Sequence, residues 1–429
     1  MEWYKESGID WIGKIPIEWD IKKIKYVYKL QTGFTPDTSK PEYYDNENGY
    51  TWISIADMND KFIYDSKSKI SELYIKEKHP NIIKKNNLLY SFKLSVGKIG
   101  FNIKDVYTNE AIASFETNND VCLNYLYYAA YLIEFNANTN IYGAKILNQN
   151  LINNALIINP PIQEQKQIAD FLDKKVGKID KILKDLNKQI EILNNYKKSI
   201  ITEAVTKGLD INVEYKNSGI DWIGNIPKKW QIKRLKYLGT SRNGLTYSPE
   251  NIVDEDNGIL VLRSSNIQSG KLDYHDNVYV NCKVPVNLLL KKNDLLICSR
   301  NGSRNLIGKN ALIDNSSIGN TFGAFMCVFR GEYNKYIYYI MNSYLFDNYL
   351  NSFLTSTINQ LTNSNLGNIK VPFTYDIIEQ QKIISYLDDK CSNIDKTIQI
   401  KKNQIDKLEN YKKSLIYEYV TGKKRVKEE

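Results

Sequence analysis

The chain has 429 residues, 25% of them charged and 42% hydrophobic, with a formal net charge of +9 and a pI near 8.9. That is the balance of a soluble globular protein of two or three domains. No run approaches the roughly 18 apolar residues of a membrane-spanning helix, and residues 1–10 lack the basic-then-apolar pattern of a secretory signal.

Five scattered cysteines (Cys122, Cys282, Cys298, Cys327, Cys391) form no CxxC pair, with only His79 and His275 beside them. This argues against a structural zinc site and for reduced thiols in a cytoplasm. The positive charge permits a nucleic-acid partner. The abundance of Lys, Asn, Ile and Tyr has a second explanation in an AT-rich coding sequence, so charge alone does not decide.

In chain order, Trp11, Ile12, Ile15, Pro16 and Trp19 predict an extended stretch laid on a core, followed by a strand over 21–27. The first body opens with a Gly-, Pro- and Asn-rich loop over 31–50, then a strand over 52–55. Residues 82–101 read as strand, turn, strand, with Lys93, Ser95 and Lys98 around the turn. A short strand over 111–115 and a helix over 122–135 follow. Residues 163–205 read as one long helix. Leu172, Val176, Ile179, Leu183, Leu186, Ile190 and Leu193 alternate steps of four and three, the seam of a coiled coil. At 1.5 Å per residue this helix is a rod of roughly 65 Å.

The plan then repeats. YKESGIDWIGKIPIEWDIKKIKYV, Tyr4 to Val27, returns as YKNSGIDWIGNIPKKWQIKRLKYL, Tyr215 to Leu238, at an offset of 211. The long helix returns over 379–420 at an offset of 215, with seam residues Leu387, Cys391, Ile394, Ile398, Ile405 and Leu408. Between these frames the second body, about 239–373, follows the first only coarsely: a loop over 244–248, a strand over 259–263, and a strand-turn-strand over 294–311. A frame kept twice around divergent bodies does one job twice and carries two versions of another.

The turn of the second body carries Arg300, Asn301, Ser303, Arg304 and Lys309. Arg can fork onto guanine and Asn onto adenine. A solvated polar hairpin is the ordinary alternative. Gly302-x5-Gly308-Lys309-Asn310 is not a phosphate loop: it is one residue too long and lacks the Ser/Thr that holds Mg²⁺. Asn159-Pro160-Pro161-Ile162 lacks the aromatic that stacks a flipped base, and its prolines launch the helix instead. No paired acid motif gives a catalytic site.

The chain resembles the specificity subunit of type I restriction-modification systems along essentially its whole length. The resemblance rests on Pro160-Pro161-Ile162-x-Glu164-Gln165, the weaker Val371-Pro372 with Glu379-Gln380, and the two helices. It rests also on Gly33-x-Thr35-Pro36, Gly244-x-Thr246-Tyr247, Val261 to Ile267 (VLRSSNI) and Arg300-Asn301-Gly302-Ser303. One departure is Phe373 to Asp376, where the family has a second proline pair; a slightly altered start of the second helix is expected.

The resemblance implies an α+β fold: two pseudo-repeated mixed α/β target recognition domains separated by two long antiparallel coiled-coil helices. The expected bounds are 1–158 for the first domain and 159–210 for the central helix. The second domain is expected over 211–373, and the C-terminal helix with a basic tail over 374–429. Each body would read one half of a split double-stranded DNA site. The candidate contacts are Lys93, Ser95, Lys98, Arg263, Arg300, Asn301, Ser303, Arg304 and Lys309. The helices would also bind two modification (methyltransferase) subunits, which restriction (translocase and endonuclease) subunits join. S-adenosylmethionine, ATP and Mg would sit on those partners, with no cofactor or metal on this chain. Two other classes stand beside this expectation: a coiled-coil protein-binding adaptor without DNA specificity, and a self-sufficient nuclease or methyltransferase.

Overall fold

The structure, a computed structural model, describes residues 3–93, 95–116, 121–139, 145–354 and 359–426. It divides into two compact units, Met1–Asp185 with Gln404–Glu429, and Leu186–Asn403. Each unit holds one body, its opening segment, and a stretch of each long helix.

In the first unit, strand Tyr4–Glu6 pairs antiparallel with Lys14–Pro16, and Asp20–Lys23 pairs with Leu156–Asn159. The opening segment thus joins the strand that runs into the long helix. Ile15 and Trp19 are buried beneath it. The strand expected over 21–27 ends at Lys23, and Ile24–Tyr26 forms a 3-10 turn. The reason lies in Ile24, whose burial draws the chain inward while its carbonyl accepts from Val27 and Tyr28.

The first body is a five-stranded sheet in the order Lys29–Thr32, Ile112–Glu116, Leu88–Ser91, Ile99–Asn102, Phe62–Ile63. A smaller sheet holds Tyr107–Thr108, Tyr50–Ile53 and Lys69–Ile70. Leu88, Tyr90 and Phe115 from the large sheet share a core with Leu126 and Ile133. The helix expected over 122–135 is α-helical over Leu123–Ala129 and continues as 3-10 over Ala130–Asn136.

The second unit repeats the plan. Tyr215–Asn217 pairs with Asn225–Pro227, and Gln231–Arg234 pairs with Lys370–Phe373. Its main sheet runs Thr240–Asn243, Met326–Arg330, Leu295–Cys298, Asn310–Leu312. Helices Asn334–Met341 and Tyr344–Phe353, not expected from the sequence, close one side of its core. Tyr and Asn recur in both, and neither residue type marks a helix strongly.

The two long helices are Ile162–Lys207 and Ile377–Val420. The first starts at a proline pair, as the fixed φ of proline allows. The second starts instead on Asp376, whose side chain accepts from the backbone N–H groups of Ile378 at 2.9 Å and Glu379 at 3.1 Å. The two starts are otherwise alike. Gln165 and Gln380 are buried and donate back to the carbonyls of Pro160 and Thr374. Glu164 and Glu379 accept from the indole N–H of Trp19 and Trp230, each at 3.0 Å. Gly208 and Gly422 follow the helix ends with φ of +73° and +71°, the left-handed conformation that stops a helix.

Within each unit the two helix stretches run antiparallel. In the first, Phe171 meets Tyr419 and Asp180 meets Lys412; in the second, Gln189 meets Lys401 and Asp395 meets Lys197. Leu172, Val176, Ile179 and Leu186 are buried, as are Leu387, Cys391, Ile394 and Ile398. Leu183, Ile190, Leu193, Ile405 and Leu408 are half-buried. Lys401 occupies the seam place of Leu186 and binds Gln189 Oε1 at 2.5 Å. Among the described residues, no helix is long and apolar enough to cross a membrane.

Candidate nucleic-acid interface

Each body ends a strand pair in a polar turn. In the second unit, Leu295 faces Leu312 and Ile297 faces Asn310. The root of this hairpin is pinned by buried Asp294. It accepts from Arg330 Nε at 2.8 Å and Nη2 at 2.5 Å, and from the Lys291 N–H at 2.8 Å. The hydrogen-bonded carboxylate holds the Arg330 guanidinium above its ordinary pKa.

At the tip, the N–H groups of Ser299 and Arg300 and the Ser299 hydroxyl all donate to the Phe325 carbonyl, each at 3.0 Å. The Arg300 guanidinium lies over the Phe325 ring, 5.4 Å from its centroid. Asn301 Oδ1 accepts from the Ser303 N–H at 2.9 Å, and Asn301 Nδ2 donates to Ser264 Oγ at 3.3 Å. One end of that amide is therefore held within the turn and the other by Ser264. The buried Cys298 thiol beneath the tip is pushed up in pKa, mainly by desolvation.

Ser264 belongs to the 3-10 turn Ser264–Asn266, which follows strand Ile259–Leu262. Lys309 Nζ reaches the Ser264 carbonyl at 3.4 Å and Gln268 Oε1 at 3.5 Å. The first unit has the same device. Lys98 Nζ donates to the Ile55 carbonyl and to Asn59 Oδ1, both at 3.1 Å. Ile55 opens the 3-10 turn that follows strand Tyr50–Ile53. Lys98 and Lys309 thus tie the hairpin of each body to the turn after a strand of that body's other sheet.

Arg263 Nη2 pairs with Asp276 Oδ1 at 2.9 Å and donates to the Asp276 carbonyl at 3.2 Å. Its buried Nε and the nearby Ser265 hydroxyl have no partner among the described residues. Of the nine candidate residues, Lys98, Lys309, Arg263 and Asn301 are therefore engaged within the chain. Lys93, Ser95, Arg300, Ser303 and Arg304 are exposed, and none of their side chains makes a hydrogen bond or ion pair to a described residue. Lys93, Ser95 and Lys98 share the turn of the first unit. The other six gather around the turn of the second, with Arg263 beside Asn301 through Ser264.

Phe325, Asn59, Gln268 and Asp276 also build these turns. No local pattern marks them, because their partners lie 13 to 41 residues away in sequence. Among the described residues, no group of three or more His, Cys, Asp or Glu side chains could hold a metal ion.

Comparison with known proteins places the duplicated plan. A model of the type I restriction modification DNA specificity domain matches residues 16–192 and again 227–410. The chain is 27% identical to the MjaVIII type I restriction enzyme specificity subunit of Methanocaldococcus jannaschii, over 100% of this chain and 98% of that one. The EcoKI specificity subunit of Escherichia coli is 29% identical over 41% of this chain and 39% of its own. A solved structure from a study of complex assembly and conformational transition of the type I R-M system shares the fold, with a TM-score of 0.67 and 14% identity. It covers 95% of this chain and 98% of that one. One domain model matching twice, once on each copy of the plan, shows that the chain belongs to the type I restriction modification DNA specificity family.

Proposed function

We propose that this chain gives a type I restriction-modification complex its address: each body reads one half of a two-part DNA target, and the chain does no chemistry itself. The observation that carries this reading is the contrast between frame and bodies. The frame keeps the same hydrogen bonds twice, Trp19 to Glu164 and Trp230 to Glu379. The turns differ where they meet solvent, with Lys93 and Ser95 in one and Arg300, Ser303 and Arg304 in the other. Base contacts set the sequence read, while Lys and Arg on phosphates supply affinity that falls with salt.

The duplicated frame also supports two copies of one partner. Tyr26 and Tyr237 are exposed by 73% and 70%, and Tyr196 and Tyr411 by 57% and 56%. These matched tyrosines are exposed in both copies and so present the same groups twice. Two modification subunits would dock there and on the helices, and restriction subunits would join that core. S-adenosylmethionine, ATP and Mg would act on those partners, in the cytoplasm where the DNA lies.

The test is a genome-wide methylation map of cells expressing this chain with its modification subunit, against the modification subunit alone. Methyladenine at a two-part motif with a fixed gap, seen only with the chain present, is the expected result. Exchanging residues 28–158 for another body should change one half of that motif. A stable complex that methylates nothing, and whose binding ignores salt, would turn the reading to a protein-binding adaptor.

A further inference from the structure

The two bodies differ at one matched place in their turns. In the second unit the Ser299 N–H donates to the Phe325 carbonyl at 3.0 Å; in the first, the Phe92 N–H donates to the Ala111 carbonyl at 2.9 Å. Arg300 over Phe325 therefore corresponds to Lys93 beside Ala111. Phe325 is 60% exposed, a large apolar ring left in water, and among the described residues its one ring partner is Arg300.

We propose that Phe325 is a positioning residue that holds Arg300 as a guanine-reading fork for the half-site of the second body. The proposal rests on the DNA-reading function stated above. A guanidinium is planar and carries five donors, two of which can meet guanine O6 and N7 together. Held over a ring, it loses less side-chain freedom when it docks. The backbone beneath is clamped from both sides. Three donors converge on the Phe325 carbonyl, Arg300 bridges antiparallel to Gln360, and the Leu361 N–H donates to the Ser299 carbonyl at 2.8 Å. The neighbouring Asn301 amide is already held by Ser303 and Ser264; of the two exposed guanidiniums of this tip, Arg300 and Arg304, Arg300 is the one that lies over a ring. Lys93 has no fork, and the ring near its ammonium, 5.8 Å away, is that of its own neighbour Phe92, which is buried, rather than an exposed ring across the sheet.

The test is selection from a random duplex library by the full-length chain assembled with its modification subunits, followed by sequencing of the bound DNA. The wild type should select a two-part motif with a guanine in one half. Arg300→Ala should lower the preference for that guanine about 10-fold or more, the loss of a bidentate pair. Phe325→Ala should lower it about 3-fold, the scale of an exposed stacking contact, and Phe325→Tyr should restore it. The other half of the motif and the salt dependence should stay unchanged in all three variants. Unaltered thermal unfolding of Phe325→Ala would show that the turn still folds. If Phe325→Ala leaves every position as sharp as wild type, the positioning role is overturned and DNA reading stands. If the wild type selects no motif, DNA reading falls and this proposal with it.

Discussion

At the scale of single residues, the same few contacts are made twice, and each copy is open to test. Trp19 and Trp230 are fully buried, and each indole bonds a glutamate at the start of a long helix. Trp19→Ala is expected to cost about 3–5 kcal/mol, the price of a core aromatic. Trp19→Phe should cost less, since most of the packing remains. Urea unfolding would separate the two, and equal losses would deny the indole ring its packing role. The sequence makes Lys98 a candidate DNA contact, and the structure gives its ammonium two partners within the chain, the Ile55 carbonyl and Asn59 Oδ1. Lys98→Ala should therefore lower stability by about 1 kcal/mol and leave the salt slope of DNA binding unchanged. A shallower slope would mean the lysine meets phosphate after all. The thiols follow burial: desolvation pushes Cys391 up to about 11 and Cys327 up to about 12, so little of either is thiolate near neutral pH. Iodoacetamide at pH 8 should label the half-buried Cys282 well before either, as mass spectrometry of labelled peptides would show.

At the scale of elements, the long helices combine a legible seam with local choices that only coordinates reveal. Gly177 lies inside the first helix, and a Cβ there would meet nothing within 4 Å. Gly177→Ala should stabilise the chain by about 0.5–1 kcal/mol by removing backbone freedom from the unfolded state. A drop in stability would mean that the helix needs that glycine. Gly308 is the opposite case. Its φ is +84°, and a Cβ would come within 2.5 Å of Leu350 Cδ1 and 2.7 Å of Phe346 Cε1. Gly308→Ala should destabilise the second unit by more than about 1 kcal/mol, read as earlier unfolding of that unit alone. Phe373 to Asp376 shows how a departure in sequence is absorbed: an aspartate caps the helix where the resembled family has a second proline pair.

At the scale of the whole molecule, each unit needs both helices. The first unit takes Leu415 and Val420 into the core that holds Trp19 and Leu172, and the second takes Ile201 and Val205 into the core that holds Trp230 and Leu387. A fragment ending at residue 210 keeps the first body but loses the second helix. It also leaves Ile201 and Val205, the repeat counterparts of Ile416 and Val420, without their unit. Residues 1–210 should therefore dimerise, each copy lending its helix end to the other. Sedimentation of that fragment checks this, and a folded monomer at high concentration would count against it.

The sequence by itself determined the duplication, the long helices and their seams, and the strand-turn-strand of each body. All of these are periodic or repeated over tens of residues, so comparison along the chain reveals them. Tertiary structure decided what depends on distant partners. The strand from residue 21 stops at Lys23 because Ile24 turns into the core. Two tyrosine-rich helices close the second body although their propensity is weak. Among the cationic side chains at the turns, composition could not separate those bonded within the chain from those left free. Lys309 and Arg300 look alike in sequence, but one is anchored to Ser264 and Gln268 and the other stands on Phe325. Hydrogen bonds between residues far apart in the chain leave no local pattern, and only the folded backbone brings their ends together.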